Sequence, residues 1–285
     1  MRFLSYEIDG VGGLAVDTGG GEYRGLLASA DAFPGTLDDI VRSGDFAGAA
    51  ARLKSGAPVD PATAAHRPPL TRAGKILCVG LNYMDHAAES AMQAPDFPTV
   101  FVRFNTGLVG HGAPLIRPKV SDKFDYEGEM VAVIGKSGRE IAEADALDHI
   151  AGYSVFNDGS IRDFQLRTPQ WTIGKNFDGT GGFGPVFVAA DELPAGGAGL
   201  HIETRLNGAV MQSASTADLI FDVKKLVSLI SIAMTLEVGD IIVTGTPSGV
   251  GAARKPPVFM KPGDVCEVEI ECIGTLRNPV VAQAG

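Results

Sequence analysis

Short runs rich in valine and isoleucine recur along nearly the whole chain, each closed within a few residues by glycine or proline. The 37 glycines and 17 prolines are spread through the 285 residues rather than gathered in one tract. Glycine supplies backbone angles that other residues resist, and proline cannot extend a sheet ladder. This punctuation therefore describes many short strands joined by tight turns. Runs at 76–80, 99–104, 130–134, 152–157, 185–189, 201–206, 240–244 and 265–273 fit strands. Helices are fewer, at 83–90, 143–149 and 223–235. The last carries Val223, Leu226, Val227, Ile230, Ala233 and Met234 on one face. Strands that dominate without alternating with long helices predict an α+β, β-rich chain, an antiparallel or mixed β-roll rather than a doubly wound sheet.

The first 70 residues read as a small N-terminal domain, with strands at 3–8 and 14–16, a glycine turn at 19–21 and helices at 36–42 and 46–53. A proline-bearing connection, 58–69, is the expected boundary with a larger domain over 71–285. A 45% hydrophobic composition can fill a sizeable core. The net charge is −10 and no basic block occurs, which speaks against a phosphate-tracking groove and a nucleic-acid partner. Cys78, Cys266 and Cys272 form no Cys-x-x-Cys pair, and an odd count makes a poor disulfide framework. The opening MRFLSYEIDG lacks a cationic segment followed by an apolar run. The longest apolar stretch, 226–236, contains serines and is far short of the roughly 18–20 residues that cross a bilayer. The expectation is a cytoplasmic protein with no membrane partner.

Two glycine motifs invite a phosphate reading and fail it. Residues 179–184 satisfy G-x-G-x-x-G, but a strand-like run follows instead of the helix whose N-terminus would hold a pyrophosphate. A flexible or tightly turned loop is expected there. Residues 244–251 lack the Gly-Lys-Ser/Thr of a P-loop. Backbone N–H groups at that strand end would still suit a carboxylate or enolate oxygen.

Glu127 and Glu129 precede an apolar strand, and a period of two puts them on one face. Adjacent carboxylates are exposed, protonated or bridged by a cation, so a solvated edge strand is one reading. Asp158 ends another apolar strand and offers a third carboxylate. Three carboxylates without His or Cys suit Mg²⁺ or Mn²⁺. His86 and Glu89 sit one helical turn apart, a spacing in which Glu can orient the imidazole as a base toward water. A surface pair would look the same. Arg162, Gln165 and Lys175 follow Asp158, and surface salt bridges are the plain reading of the two cations.

Taken together, these motifs are identifiable. Val79–Tyr83 with His86 and Glu89, Asp125-Tyr126-Glu127-x-Glu129, Asn157-Asp158 with Arg162-Asp163 and Gln165, Gly174-Lys175 and Thr244-Gly245-Thr246-Pro247 occur in the order seen in the fumarylacetoacetate hydrolase family. Lys261-Pro262-Gly263-Asp264 and Gly274-Thr275-Leu276-Arg277-Asn278 also resemble it, so that the likeness covers roughly residues 73–280. The resemblance implies a mixed β-sandwich roll, a homodimer, and a Mg²⁺ or Mn²⁺ ion held by Glu127, Glu129 and Asp158. It further implies that His86 and Glu89 activate water on a lid helix. Gln165, Lys175 and Thr246 would contact substrate or intermediate, with Arg162 as a further contact. Many members carry Lys-Pro where this chain has Arg103-Phe104. Arg103, a planar fork rather than a point charge, would alter recognition of the distal half of the substrate.

The implied reaction is cleavage of a C–C bond in a 2,4-diketo acid, of acylpyruvate or 2,4-diketo-3-deoxy-L-rhamnonate type, to pyruvate and a carboxylic acid. The metal would act as Lewis acid and Lys175 would stabilise the enolate. The same site supports alternatives: oxaloacetate decarboxylation, ureidoglycolate cleavage or enol-keto isomerisation. A binding or regulatory protein that kept the fold and lost turnover is a reading of another class.

Overall fold

The computed structural model describes residues 1–85 and 96–285. Two sheets face each other. Among the described residues the larger has twelve strands, ten of them in one path: Ala57–Val59, Tyr23–Leu27, Val11–Asp17, Arg2–Ile8, Gly181–Ala189, Ile150–Asp158, Gly128–Ile134, Ile241–Val243, Ile76–Gly80 and Thr99–Arg103. Its neighbours are antiparallel except where Ile241–Val243 runs parallel to Ile76–Gly80 and where the short Leu108–Val109 joins Gly181–Ala189. The smaller sheet orders Ala209–Ser215, His201–Leu206, Val265–Ile270, Gly274–Ala282 and Leu115–Arg117, the last pair parallel. The fold is a mixed, β-rich α+β roll.

The large sheet is covered on both faces, which explains why its central strands read as continuous apolar runs rather than alternating ones. Met130, Ala132, Tyr153 and Val155 pack toward Ile202, Val268, Ile270 and Leu276 of the small sheet, and toward Leu226, Val227 and Ile230 of the helix Val223–Ala233. That helix begins where Asp222 accepts the Lys225 N–H at 3.0 Å, an N-cap that satisfies an orphan donor. On the opposite face Val131, Val133, Phe156, Phe187 and Val243 meet Leu37, Ile40 and Val41 of the helix Leu37–Ser43 and Ala49, Ala50 and Leu53 of the helix Phe46–Leu53.

The leading residues therefore share a sheet and a core with the remainder: Arg2–Ile8 pairs with Gly181–Ala189, and Phe3 lies against Phe46 and Phe187, its ring centroid 6.0 and 6.4 Å from theirs. The loop expected at 179–184 is corrected. Gly181–Gly184 is already ladder, with Gly181 opposite Asp158. The strands Tyr23–Leu27, Ala209–Ser215 and Gly274–Ala282 carry no strong apolar run and were not expected. Residues 143–149 form a 3-10 turn, and residues 86–90 of the helix expected at 83–90 lie outside the described residues. No helix among the described residues is long and apolar enough to cross a membrane.

Truncating Phe3 to Ala should cost about 3–5 kcal/mol, the usual range for a buried aromatic. Because its contacts belong to the common core, denaturant unfolding should show one transition moved to lower midpoint. A separate early step for the leading residues would contradict the shared core.

Candidate active site

The site is set by one strand pair. Gly128–Ile134 runs antiparallel to Ile150–Asp158 with Gly128 opposite Asn157 and Glu129 opposite Phe156. That register sets Glu127 across from Asp158, whose N–H donates to the Glu127 carbonyl at 2.8 Å. Glu127, Glu129 and Asp158 are buried, and one carboxylate oxygen from each lies within 4.8 Å of the others. The solvated edge is thereby overturned, since Gly128–Ile134 is flanked on both sides by partner strands.

Buried carboxylates this close repel unless charge is supplied to them. Lys175 Nζ lies 2.6 Å from Glu127 Oε2 and 2.6 Å from Asp158 Oδ2. Arg162 Nη1 lies 2.6 Å from Glu127 Oε1. Glu129 instead accepts the Gly245 N–H at 2.5 Å. Gly245 has φ +103°, and a Cβ there would stand 2.7 Å from that of Asn82, so this turn requires glycine. The N–H expected to be open at residues 244–251 is thus taken by Glu129. Burial pushes the Glu129 carboxyl well above the usual range, with Asp158 and Glu127 adding to it. Burial alone would lower the Lys175 ammonium, but Asp158 and Glu127 outweigh it and hold the proton on.

Arg162 and Lys175 are therefore buried, not surface cations. Arg162 is anchored from behind by Asp125, which sits 2.7 Å from its Nε. Asp125 in turn accepts the N–H groups of Tyr126, Gly251 and Ala252. Gln165 Oε1 accepts Arg162 Nη1 at 2.9 Å. Thr246 Oγ1 donates to the Gly128 carbonyl and accepts from Gln212 Nε2 at 2.8 Å. Glu127, Glu129, Arg162, Gln165, Lys175 and Thr246 all line one cavity of about 310 Å³.

Arg103 departs from expectation. Its fully buried guanidinium donates to Asp158 Oδ1 at 2.5 Å, the Gly159 carbonyl at 3.1 Å and Thr180 Oγ1 at 3.0 Å. It stands behind Asp158 and is absent from the cavity wall, so it cannot read the distal half of a substrate from this position. His86 and Glu89 lie outside the described residues. Sequence reasoning assigned no role to Asp125 or Gln212. Asp125 lies in the acidic motif itself, but Gln212 comes from the small sheet and carries no local signal.

The donor set fits a hard divalent cation: three buried carboxylates converge from two strands, with no His or Cys among them. Four buried carboxylates, Asp125, Glu127, Glu129 and Asp158, face three cations, Arg103, Arg162 and Lys175. With the Glu129 proton in place these charges balance, and a divalent ion that displaced it would leave an excess of positive charge.

These features define a buried acid cluster that could hold a metal ion, and comparison with known proteins gives the family. The profile of the fumarylacetoacetate hydrolase C-terminal domain matches residues 75–281. A human mitochondrial oxaloacetate tautomerase is 38% identical over 289 residues, covering 99% of this chain and 92% of its own. An oxaloacetate tautomerase of Bacillus subtilis (strain 168) is 44% identical over 218 residues, 75% of this chain and 72% of its own. Among solved structures, the fumarylacetoacetate hydrolase of Exiguobacterium antarcticum has a TM-score of 0.86 at 34% identity, over 99% of this chain and 100% of that one. A maleylpyruvate hydrolase from Sphingobium sp. SYK-6, in complex with manganese(II) and pyruvate, has a TM-score of 0.81 at 26% identity over the full length of both. The chain belongs to the fumarylacetoacetate hydrolase family.

Two outcomes are expected from this geometry. Arg103→Met should cost about 3–5 kcal/mol in denaturant unfolding, because it leaves Asp158 buried without one of its two cationic partners. Binding of Mn²⁺ should release protons, because Glu129 must give up the proton that burial favours. Affinity should therefore rise with pH, and calorimetry in buffers of different ionisation enthalpy should resolve the release.

Proposed function

We propose that this chain is a divalent-metal-dependent tautomerase that interconverts the enol and keto forms of a 2-oxo acid. One observation carries the reading: Lys175 brings a proton to the cavity, held between Glu127 and Asp158. The relatives named as oxaloacetate tautomerases support it. The C–C hydrolysis expected first gives way to the enol-keto alternative. Tautomerisation requires a proton carrier and stabilisation of negative charge, and the described cavity offers both.

Glu127, Glu129 and Asp158 would hold Mg²⁺ or Mn²⁺, which when bound supplies Lewis acidity toward the 2-oxo group. In the enol-to-ketone direction the C2=C3 electron pair takes the Nζ proton of Lys175 to form the new C–H bond. The O–H electron pair becomes C2=O as its proton passes to Nζ, restoring the ammonium. Glu127 and Asp158 fix the ammonium in place for both transfers. Arg162, tied to Asp125 and Glu127, keeps the Glu127 carboxylate oriented. Arg103 does the same for Asp158. Gln165 and Thr246 present polar groups to the bound acid from the cavity wall.

Following the ultraviolet absorbance of enol-oxaloacetate in the presence of Mn²⁺ tests this reading. Exhaustive chelation should abolish the catalysed decay, and either metal should restore it. Lys175→Met should lower kcat by roughly 10²–10⁴-fold, the usual contribution of a positioned acid–base group. No catalysed decay, together with solvent ¹⁸O entering the acid released from an acylpyruvate, would replace tautomerisation by hydrolysis.

A further inference from the structure

Asp125 is fully buried, yet it belongs neither to the three converging carboxylates nor to the cavity wall. Its Oδ1 accepts the Tyr126 N–H at 2.9 Å and the Gly251 N–H at 2.8 Å. Its Oδ2 accepts the Ala252 N–H at 2.9 Å and Arg162 Nε at 2.7 Å, and Arg162 Nη2 also lies 2.7 Å away. A carboxylate offers about four lone-pair sites, so those of Asp125 are taken and none is left for a metal ion.

Three of these donors are backbone, which ties the carboxylate to the frame rather than to other side chains. Gly251 permits the approach, because a Cβ there would stand 2.6 Å from Asp125 Oδ1. From this fixed point the chain of contacts runs outward through Arg162. The guanidinium turns Nε and Nη2 to Asp125, while Nη1 lies 2.6 Å from Glu127 Oε1 and 2.9 Å from Gln165 Oε1. Its nitrogens form a rigid planar fork, so the grip of Asp125 on one edge sets where the other edge meets Glu127. Charge works in the same direction. Asp125 is one of the four buried carboxylates, and without it a bound divalent ion would sit in a larger excess of positive charge.

We infer that Asp125 is a positioning residue for the metal: acting through Arg162 it orients Glu127 and sets the affinity of the site, touching neither ion nor substrate. The inference rests on the reading of Glu127, Glu129 and Asp158 as metal ligands and uses no step of the tautomerase reaction.

The full chain, freed of metal, can be titrated with Mn²⁺ in the absence of substrate. Calorimetry reads the affinity, and electron paramagnetic resonance counts the free ion independently. Asp125→Asn keeps the size of the side chain and an oxygen for the backbone N–H groups, but loses the charge that grips Arg162. It should raise the Mn²⁺ Kd by about 10-fold or more, the usual cost of releasing a group that orients a metal ligand. Arg162→Lys keeps the charge beside Glu127 but lacks the fork that spans both carboxylates. It should weaken Mn²⁺ by about the same factor, and it decides the matter alone if Asp125→Asn does not fold. The two changes together should cost less than the product of their separate effects, because both break one relay. Fully multiplicative losses would show that Asp125 acts independently of Arg162 and would overturn the inference. So would a chain carrying Asp125→Asn that melts earlier but binds Mn²⁺ within about two-fold of the unaltered protein, a result that leaves the metal-site reading standing. Absence of Mn²⁺ binding to the unaltered chain would remove that reading and the inference with it.

Discussion

Buried charge persists in a protein only when it is matched, and here the matching reaches across the whole molecule. Glu127, Glu129 and Asp158 cannot share a few ångströms of low-dielectric interior unaided. Lys175 and Arg162 arrive from two short helices, Arg162–Gln165 and Thr172–Lys175. Arg103 arrives from the edge of the large sheet, and Gly245 from the loop after Ile241–Val243. Each donor is itself fixed: Arg162 by Asp125, Arg103 by Thr180 and the Gly159 carbonyl. The chain order of these groups is scattered, yet their positions all answer to the register of one antiparallel strand pair.

That register explains why the surrounding architecture is so heavily buttressed. A slip of one residue between Gly128–Ile134 and Ile150–Asp158 would reverse the faces of both strands and separate the carboxylates. Coverage of both faces of the large sheet makes such a slip costly, since apolar side chains on either side would exchange cores. The leading strands add to the same sheet beyond Gly181–Ala189 and widen the buried face on which Phe156 and Phe187 rest. Gln212 shows the small sheet contributing directly, because it braces both Gly128 and Thr246 beneath the cavity.

A site held this way is prepared for developing negative charge rather than for a particular carbon skeleton. Proteins that this chain resembles are named as tautomerases and as hydrolases, and under the proposed function the acidic cluster and its cations would serve the charge that develops in either reaction. The cavity wall away from the carboxylates is aromatic, built by Phe101 and Trp171 over a glycine.

The chain's own pattern was sufficient for several conclusions. Glycine and proline spacing specified a β-rich roll, and alternation along Glu127–Glu129 with Asp158 at a strand end offered three carboxylates that the structure brings within 4.8 Å of one another. These are local properties, set by backbone angles and side-chain period, and a local reading captures them. It failed where burial decides the meaning of a residue. Arg162 and Lys175 resemble surface cations in sequence because nothing nearby says that they face carboxylates from distant strands. Arg103 looked like a substrate contact until the sheet edge placed it behind Asp158, and Gly181–Gly184 looked like a loop until Asp158 paired with it. The strands Tyr23–Leu27 and Ala209–Ser215 were missed because their pairing partners, not their own composition, make them strands. The sequence by itself determined which chemical groups exist and with what local period. Only tertiary structure decided which of them share a dry interior, because desolvation and charge matching depend on neighbours that the chain brings from far along its length.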